Sequence, residues 1–299
     1  MNCNLCPRAC KADRLVNTGF CGASAEPEVA TICVHQGEEP PLCGNKGICN
    51  VFFAHCNLKC IYCQNGDISS PVAGTADLIR FRGVEAIVEG IAQVLPQTEN
   101  IVGFVTPSHY ANHIPAIVEG LHRRGLAPTT VYNTGGYDSV ETLQMLAPYI
   151  DIYLPDFKYM DSALAQRYSH AKDYPSVALR ALKEMYNQKG SALPTDEDEL
   201  AYRGIIVRHL VLPGQVENSL AVLDEIADVS TNLHVALMAQ YFPPTTGLPD
   251  QLGRTLTAEE YNRVAEHFYA IGLHRGWVQE LSAQSTYRPD FTQQQAFHL

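Results

Sequence analysis

Residues 50–65 read Asn-Val-Phe-Phe-Ala-His-Cys-Asn-Leu-Lys-Cys-Ile-Tyr-Cys-Gln-Asn. The short apolar run at 51–54 has the composition of a buried strand. Directly after it, Cys56, Cys60 and Cys63 form a C-x3-C-x2-C set. Three thiolates on one tight loop can hold three corners of a cubane iron–sulfur cluster, which leaves the fourth iron open to another ligand. An open coordination position is the general mark of a catalytic rather than a structural metal centre. The competing readings are a zinc knuckle, with His55 close by as a fourth ligand, and a redox pair.

Outward from this stretch the chain keeps one rhythm. Further candidate strands lie at 101–106, 130–133, 151–155, 205–212 and 233–239. Helical spacing recurs between them: at Val84, Ile87, Val88, Ile91 and Val94, at Ile114, Ile117, Val118 and Leu121, and over 139–147, 175–188, 218–229 and 258–271. Six βα units in a row predict a parallel sheet wrapped by helices, either an open partial barrel or a doubly wound sheet. Six is too few for a closed eight-stranded barrel. The acidic run Asp196-Glu197-Asp198-Glu199 reads as a solvated loop, and the residues after Ser282, with Gln293, Gln294 and Gln295, as a polar tail. The predicted organisation is a Cys-rich, loop-rich module over 1–49, a barrel over 50–281 and a tail over 282–299.

All ten cysteines lie at or before Cys63. Disulfide staples would be spread through the chain, so this clustering points to metal in a reducing compartment, the cytoplasm. Cys3, Cys6, Cys10 and Cys21 give C-x2-C-x3-C-x10-C. Four thiolates satisfy a closed zinc site or a second iron–sulfur cluster equally well. Cys33, Cys43 and Cys49 read as small buried hydrophobes, with an extra cluster that includes His35 as the sharper alternative. A net charge of −11 disfavours nucleic acid as a partner. No run of about 18 apolar residues predicts a membrane span, and Met-Asn-Cys-Asn-Leu-Cys-Pro-Arg at the N-terminus lacks a signal-peptide core.

The cysteine loop, with its aromatic before the last Cys and its place ahead of the βα repeats, resembles the radical SAM superfamily. In detail the chain is similar to the pyruvate formate-lyase-activating-enzyme-related (PflX-like) group. Val-Thr-Pro-Ser-His-Tyr (105–110), Val-Tyr-Asn-Thr-Gly-Gly-Tyr-Asp (131–138), Asp-Ile-Tyr-Leu-Pro-Asp-Phe-Lys-Tyr (151–159), Val-Arg-His-Leu-Val-Leu-Pro-Gly (207–214) and Met-Ala-Gln-Tyr-Phe-Pro (238–243) carry the likeness. It implies a partial (β/α)6 barrel and a 4Fe-4S cluster on Cys56, Cys60 and Cys63. It further implies that S-adenosylmethionine (SAM) chelates the open iron and is cleaved reductively to a 5′-deoxyadenosyl radical, which abstracts hydrogen from a substrate. Flavodoxin or ferredoxin is the implied electron donor and a protein, a glycyl-radical enzyme, the implied substrate. Radical modification of a small molecule and a non-catalytic two-cluster electron carrier are the alternatives.

Site residues follow from the likeness and from the strand ends. Tyr62 matches the aromatic near the adenine, and Asp156 with Lys158 matches an Asp-x-Lys that contacts SAM. Many relatives carry Gly-Gly-Glu for the methionine ammonium where this chain has Thr106-Pro107-Ser108-His109, so backbone carbonyls and a hydroxyl of Thr106 or Ser108 are the expected acceptors. Asn133 stands at a strand's carboxyl end, where such folds build their sites. Arg208 meets a carboxylate or is a structural strand residue. His109 and His209 read as satisfied core histidines.

Overall fold

A computed structural model describes residues 3–69, 75–285, 288–293 and 295–297; Met1, Asn2 and Gln294 lie outside them. Among the described residues one sheet holds nine strands. They are β1 (Glu28–His35), β2 (Ile48–Phe53), β3 (Phe81–Arg82), β4 (Ile101–Val105), β5 (Thr129–Thr134), β6 (Ile152–Pro155), β7 (Gly204–Leu210), β8 (His234–Met238) and β9 (Gly276–Val278). The order is β3-β1-β2-β4-β5-β6-β7-β8-β9. From β2 to β9 every neighbouring pair is parallel. β1 runs antiparallel to β2 and β3.

The partial barrel is present with two corrections. It has seven parallel strands rather than six, because the three-residue β9 pairs with β8. The reading of 1–49 as loop-rich misses β1, eight residues that are nearly all buried against β2.

The helices are α1 (Pro40–Cys43), α2 (Gly66–Ser69), α3 (Thr75–Leu78), α4 (Val84–Val94), α5 (Ile114–Arg123), α6 (Val140–Leu146), α7 (Ser162–Ser169), α8 (Tyr174–Lys189), α9 (Val216–Val229) and α10 (Ala258–Ala270). Capping side chains fix several starts. Ser139 accepts from Thr142 N, Asp161 from Ala163 and Leu164 N, and Thr257 with Glu260 forms a capping box. No described helix is long and apolar enough to cross a membrane.

Alternation along the strands separates two cores. Cys49, Val51, Phe53, Val102 and Phe104 face outward into one apolar layer with Ile87, Ile91, Leu121 and Ile226 of the helices. Ile48, Ile101, Ile152 and Ile206, near the starts of their strands, face inward and meet Leu42 of α1. This second cluster stoppers the barrel at the amino ends of its strands. Each such side chain contributes about 1.5–3 kcal/mol on burial.

The last described residues are not a free polar tail. Phe291 and Ala296 are buried with Ala30, Cys33 and Phe52, and Arg80 donates to the carbonyls of Phe291, Thr292 and Gln293 at 2.9, 3.1 and 2.9 Å. The acidic run 196–199 is exposed, as its composition predicts. Cys33, Cys43 and Cys49 are buried in three different apolar clusters, with Cys33 and Cys49 close enough on neighbouring strands for their charges to interact.

Candidate functional site

The carboxyl ends of the parallel strands surround a cavity of about 430 Å³. Cys56, Cys60 and Cys63 line it from the loop after β2, with Thr106 after β4, Asn133 of β5, Asp156 and Lys158 after β6, and Arg208 of β7. Tyr62 lines it too. Thus the structure brings all but one of the expected residues of the cysteine loop and strand ends into one space.

The cysteine loop is held in a shape that its residues do not choose alone. His55 and Lys59 have φ of 71° and 56°, and Thr106 on the neighbouring strand end has 56°. Non-glycine residues in this region carry strain that tends to gather at sites. The holding bonds are visible. His109 Nε2 is 2.7 Å from the Ala54 carbonyl oxygen, and His55 Nε2 is 2.8 Å from Glu28 Oε2. Gly136, at φ 77°, lets the loop after β5 pass close by, since a Cβ there would stand 2.2 Å from the Asp156 carbonyl oxygen.

Each sulfur of the loop has a polar neighbour. Leu58 N donates to Cys56 Sγ at 3.3 Å, Ser169 Oγ donates to Cys60 Sγ at 2.9 Å, and Ser69 Oγ is 3.4 Å from Cys63 Sγ. Burial pushes the Cys56 thiol up to about 12, and the charges of Cys60 and Cys63 push the same way. Burial also raises Cys60, while the Lys158 ammonium pulls it back. Three thiolates this close need a positive partner, and iron bound to them would supply it. The donor set therefore fits an iron–sulfur cluster.

Lys158 Nζ lies 2.5 Å from Asp156 Oδ2, so the two face the cavity as an ion pair. Tyr62 accepts a hydrogen bond from the Tyr159 hydroxyl at 2.6 Å, and its ring stands edge-on to Tyr168 and Tyr241. Two expectations change. Ser108 does not line the cavity: its hydroxyl is buried 3.0 Å from Thr134 Oγ1, in a net with Tyr132 and the buried Asp138. The left-handed turn at Thr106 ends the strand alternation and swings Ser108 to the far side. Arg208 lines the cavity, but Glu38 and Glu39 of this chain already occupy its guanidinium. His209 Nδ1 is 2.7 Å from the Phe157 carbonyl oxygen, so it and His109 are buried core histidines.

The other cysteines stand behind the loop. Cys6 is a neighbour of Cys3 and Cys21, and Cys10 of Cys3. Burial raises the Cys6 thiol to about 12 and also raises Cys21, whereas at Cys10 burial is outweighed by the amides of Ala12 and Phe20 and the thiol falls. Gly19 makes room here, since a Cβ would stand 2.5 Å from Cys10 Sγ. Arg8 Nε donates to the Asn57 carbonyl at 2.8 Å, and Thr142 Oγ1 donates to the Leu5 carbonyl at 2.7 Å. The Asn57 side chain touches Cys6 on one side and Cys56 on the other. Among the described residues, no three His, Cys, Asp or Glu side chains converge tightly enough to hold a single metal ion.

The residues missed in the sequence are Glu38, Glu39, Asn57 and Ser169. Glu38 and Glu39 had one signal, an acidic pair between Gly37 and Pro40-Pro41.

No family model matches the chain. The chain is 28% identical over 273 residues to an uncharacterized protein of Methanocaldococcus jannaschii, which spans 89% of this chain and 73% of that one. Among solved structures it is similar to SuiB of Streptococcus suis, described bound to S-adenosylmethionine, with a TM-score of 0.45 and 13% identity. That likeness covers 75% of this chain and 45% of SuiB, so the chain spans less than half the length of that structure.

Proposed function

We propose that the protein is a radical SAM enzyme, with a 4Fe-4S cluster on Cys56, Cys60 and Cys63 and SAM in the adjoining cavity. The observation that supports this most is the convergence of those three cysteines, Asp156, Lys158 and Asn133 on one space. When bound, the cluster supplies the electron that cleaves SAM to a 5′-deoxyadenosyl radical, which takes hydrogen from a substrate. The chain's own residues bind and orient. The Asp156–Lys158 pair offers both signs of charge to a zwitterionic amino acid group, and the Thr106 hydroxyl and Asn133 amide add uncharged partners. The tyrosines 62, 159, 168 and 241 keep water from the loop.

On this reading the substrate is either a protein, such as a glycyl-radical enzyme, or a small molecule, and the donor is a flavodoxin or ferredoxin. On the same reading Cys3, Cys6, Cys10 and Cys21 hold zinc or a second iron–sulfur cluster, the thiols drawing together round the metal only when it binds. The second reading is a two-cluster electron carrier, and the contact of Asn57 with both cysteine sets favours it. One experiment separates the two. The protein is reconstituted anaerobically with iron and sulfide, reduced, and given SAM. A changed electron paramagnetic resonance spectrum and release of 5′-deoxyadenosine, both lost in Cys56→Ala, are expected. A loaded, reduced protein that ignores SAM refutes the enzyme.

A further inference from the structure

Below the cysteine loop the cavity reaches a charged floor. Arg208 Nε donates to Glu39 Oε1 at 2.7 Å, and Arg208 Nη2 donates to Glu39 Oε2 at 2.6 Å and to Glu38 Oε2. Asn50 Nδ2 donates to Glu38 Oε1 at 2.7 Å. Gly103, opposite Asn50 on β4, leaves room for that amide, because a Cβ there would stand 2.0 Å from Asn50 Oδ1. Two carboxylates thus face one guanidinium, and Lys158 is engaged by Asp156. The floor keeps one uncompensated negative charge in surroundings where charge is costly to leave alone.

A second observation is independent of that count. His35 is 6% exposed and lines the same cavity, yet among the described residues its Nδ1 has no hydrogen-bond partner. Among the described residues' buried side-chain polar atoms without a partner, His35 Nδ1 alone belongs to a residue that lines the cavity. Buried polar groups are nearly always satisfied, so this nitrogen awaits a donor. Burial holds the His35 imidazole below its usual value, against the pull of Glu38, so the ring is neutral and can accept. Phe52, Trp277 and Phe297 line the cavity with aromatic surface, which also suits a cation.

We infer that Glu38, Glu39, Arg208 and His35 form the subsite for a cationic end of the substrate, an ammonium or guanidinium group. The inference rests on the proposed enzyme only in calling that ligand the substrate. Its charge, hydrogen bonding and burial are features of the floor itself. An anionic group would meet like charge there, and a neutral hydroxyl would leave the excess charge unanswered.

Isothermal titration of the reconstituted holoprotein with n-pentylammonium, n-pentanol and n-pentanoate tests the charge preference without turnover. The ammonium is expected to bind about tenfold or more tightly than the alcohol, as a hydrogen bond to a charged group would give, and the carboxylate not to bind. Glu39→Gln brings the floor to zero net charge and is expected to remove the preference. An alcohol or carboxylate that binds as tightly as the ammonium overturns the inference. A folded Glu39→Gln with its preference intact does the same. If that variant does not fold, the three-probe series on the natural protein decides. Acetyl-Gly-Lys-Gly-amide distinguishes a peptide side chain from a free amine, and binding of either upholds the cationic class. SAM cleavage is followed in the same samples. Ammonium selectivity without cleavage upholds the floor and refutes the enzyme, whereas cleavage without selectivity refutes the floor alone.

Discussion

Replacing Arg208 by Met leaves Glu38 and Glu39 buried side by side with no cation between them. Their side chains are 6% and 7% exposed, so water cannot take the guanidinium's place. Removing one partner from a buried, hydrogen-bonded ion group costs about 3–5 kcal/mol. A large part of a typical domain's stability would go. The pH dependence has a definite sign. In the natural protein burial opposes the Glu38 charge, but Arg208 overcomes it and holds the carboxyl well below the usual range. A depressed carboxylate adds stability above its unfolded pKa and loses it as pH falls through the folded one. In Arg208→Met each carboxylate raises the other, so the penalty is full at neutral pH and shrinks as acid protonates one of them. Urea unfolding of both proteins between pH 8 and pH 5 measures this directly. The gap should be about 3–5 kcal/mol at neutral pH and narrow towards pH 5. Adding Glu38→Gln and Glu39→Gln to Arg208→Met should restore most of the loss, because no charge is then left buried. A gap below about 1 kcal/mol, the size of an exposed pair, or one that does not vary with pH, refutes the reasoning.

Three further changes test other parts of the structure. Gly136→Ala places a Cβ against the Asp156 carbonyl at positive φ, and should cost about 2 kcal/mol or more in thermal unfolding; an unchanged melting temperature would contradict the close passage. Thr257→Ala removes the capping box of α10 and should cost about 1 kcal/mol, with no loss meaning that the cap is idle. Phe291→Ala empties the contact with Phe52, and should cost about 3 kcal/mol and speed proteolysis after Asp290; equal protease resistance would show that the segment does not depend on this ring.

The parallel strands were legible because they are buried on both sides and read as continuous apolar runs, and most helices because their apolar residues recur at 3.6. The cysteine loop was legible because its spacing is rare. What was missed has physical causes. β1 reads Glu-Val-Ala-Thr-Ile-Cys-Val-His, but it sits within a Cys- and Pro-rich segment whose overall composition hid it. β9 is three residues long, below what periodicity can detect. α7, Ser-Ala-Leu-Ala-Gln-Arg-Tyr-Ser, has few apolar residues to form a face. Phe291 and Ala296 lie among glutamines, so the segment's mean polarity outweighed the two residues that dock it. Glu38 and Glu39 were passed over because charged residues are on the surface by default. Only the fold shows that Arg208, far along the chain, returns to meet them.

The apolar stopper formed by Ile48, Ile101, Ile152, Ile206 and Leu42 shuts the barrel's lower end. Among the described residues no opening reaches the acidic floor from beneath. Traffic has to come from the side of the cysteine loop, where SAM is proposed to sit, and two molecules sharing that approach form a queue. The inner one arrives first and departs last. Steady-state kinetics should then be ordered rather than random, and SAM bound alone should slow the entry of whatever the floor receives.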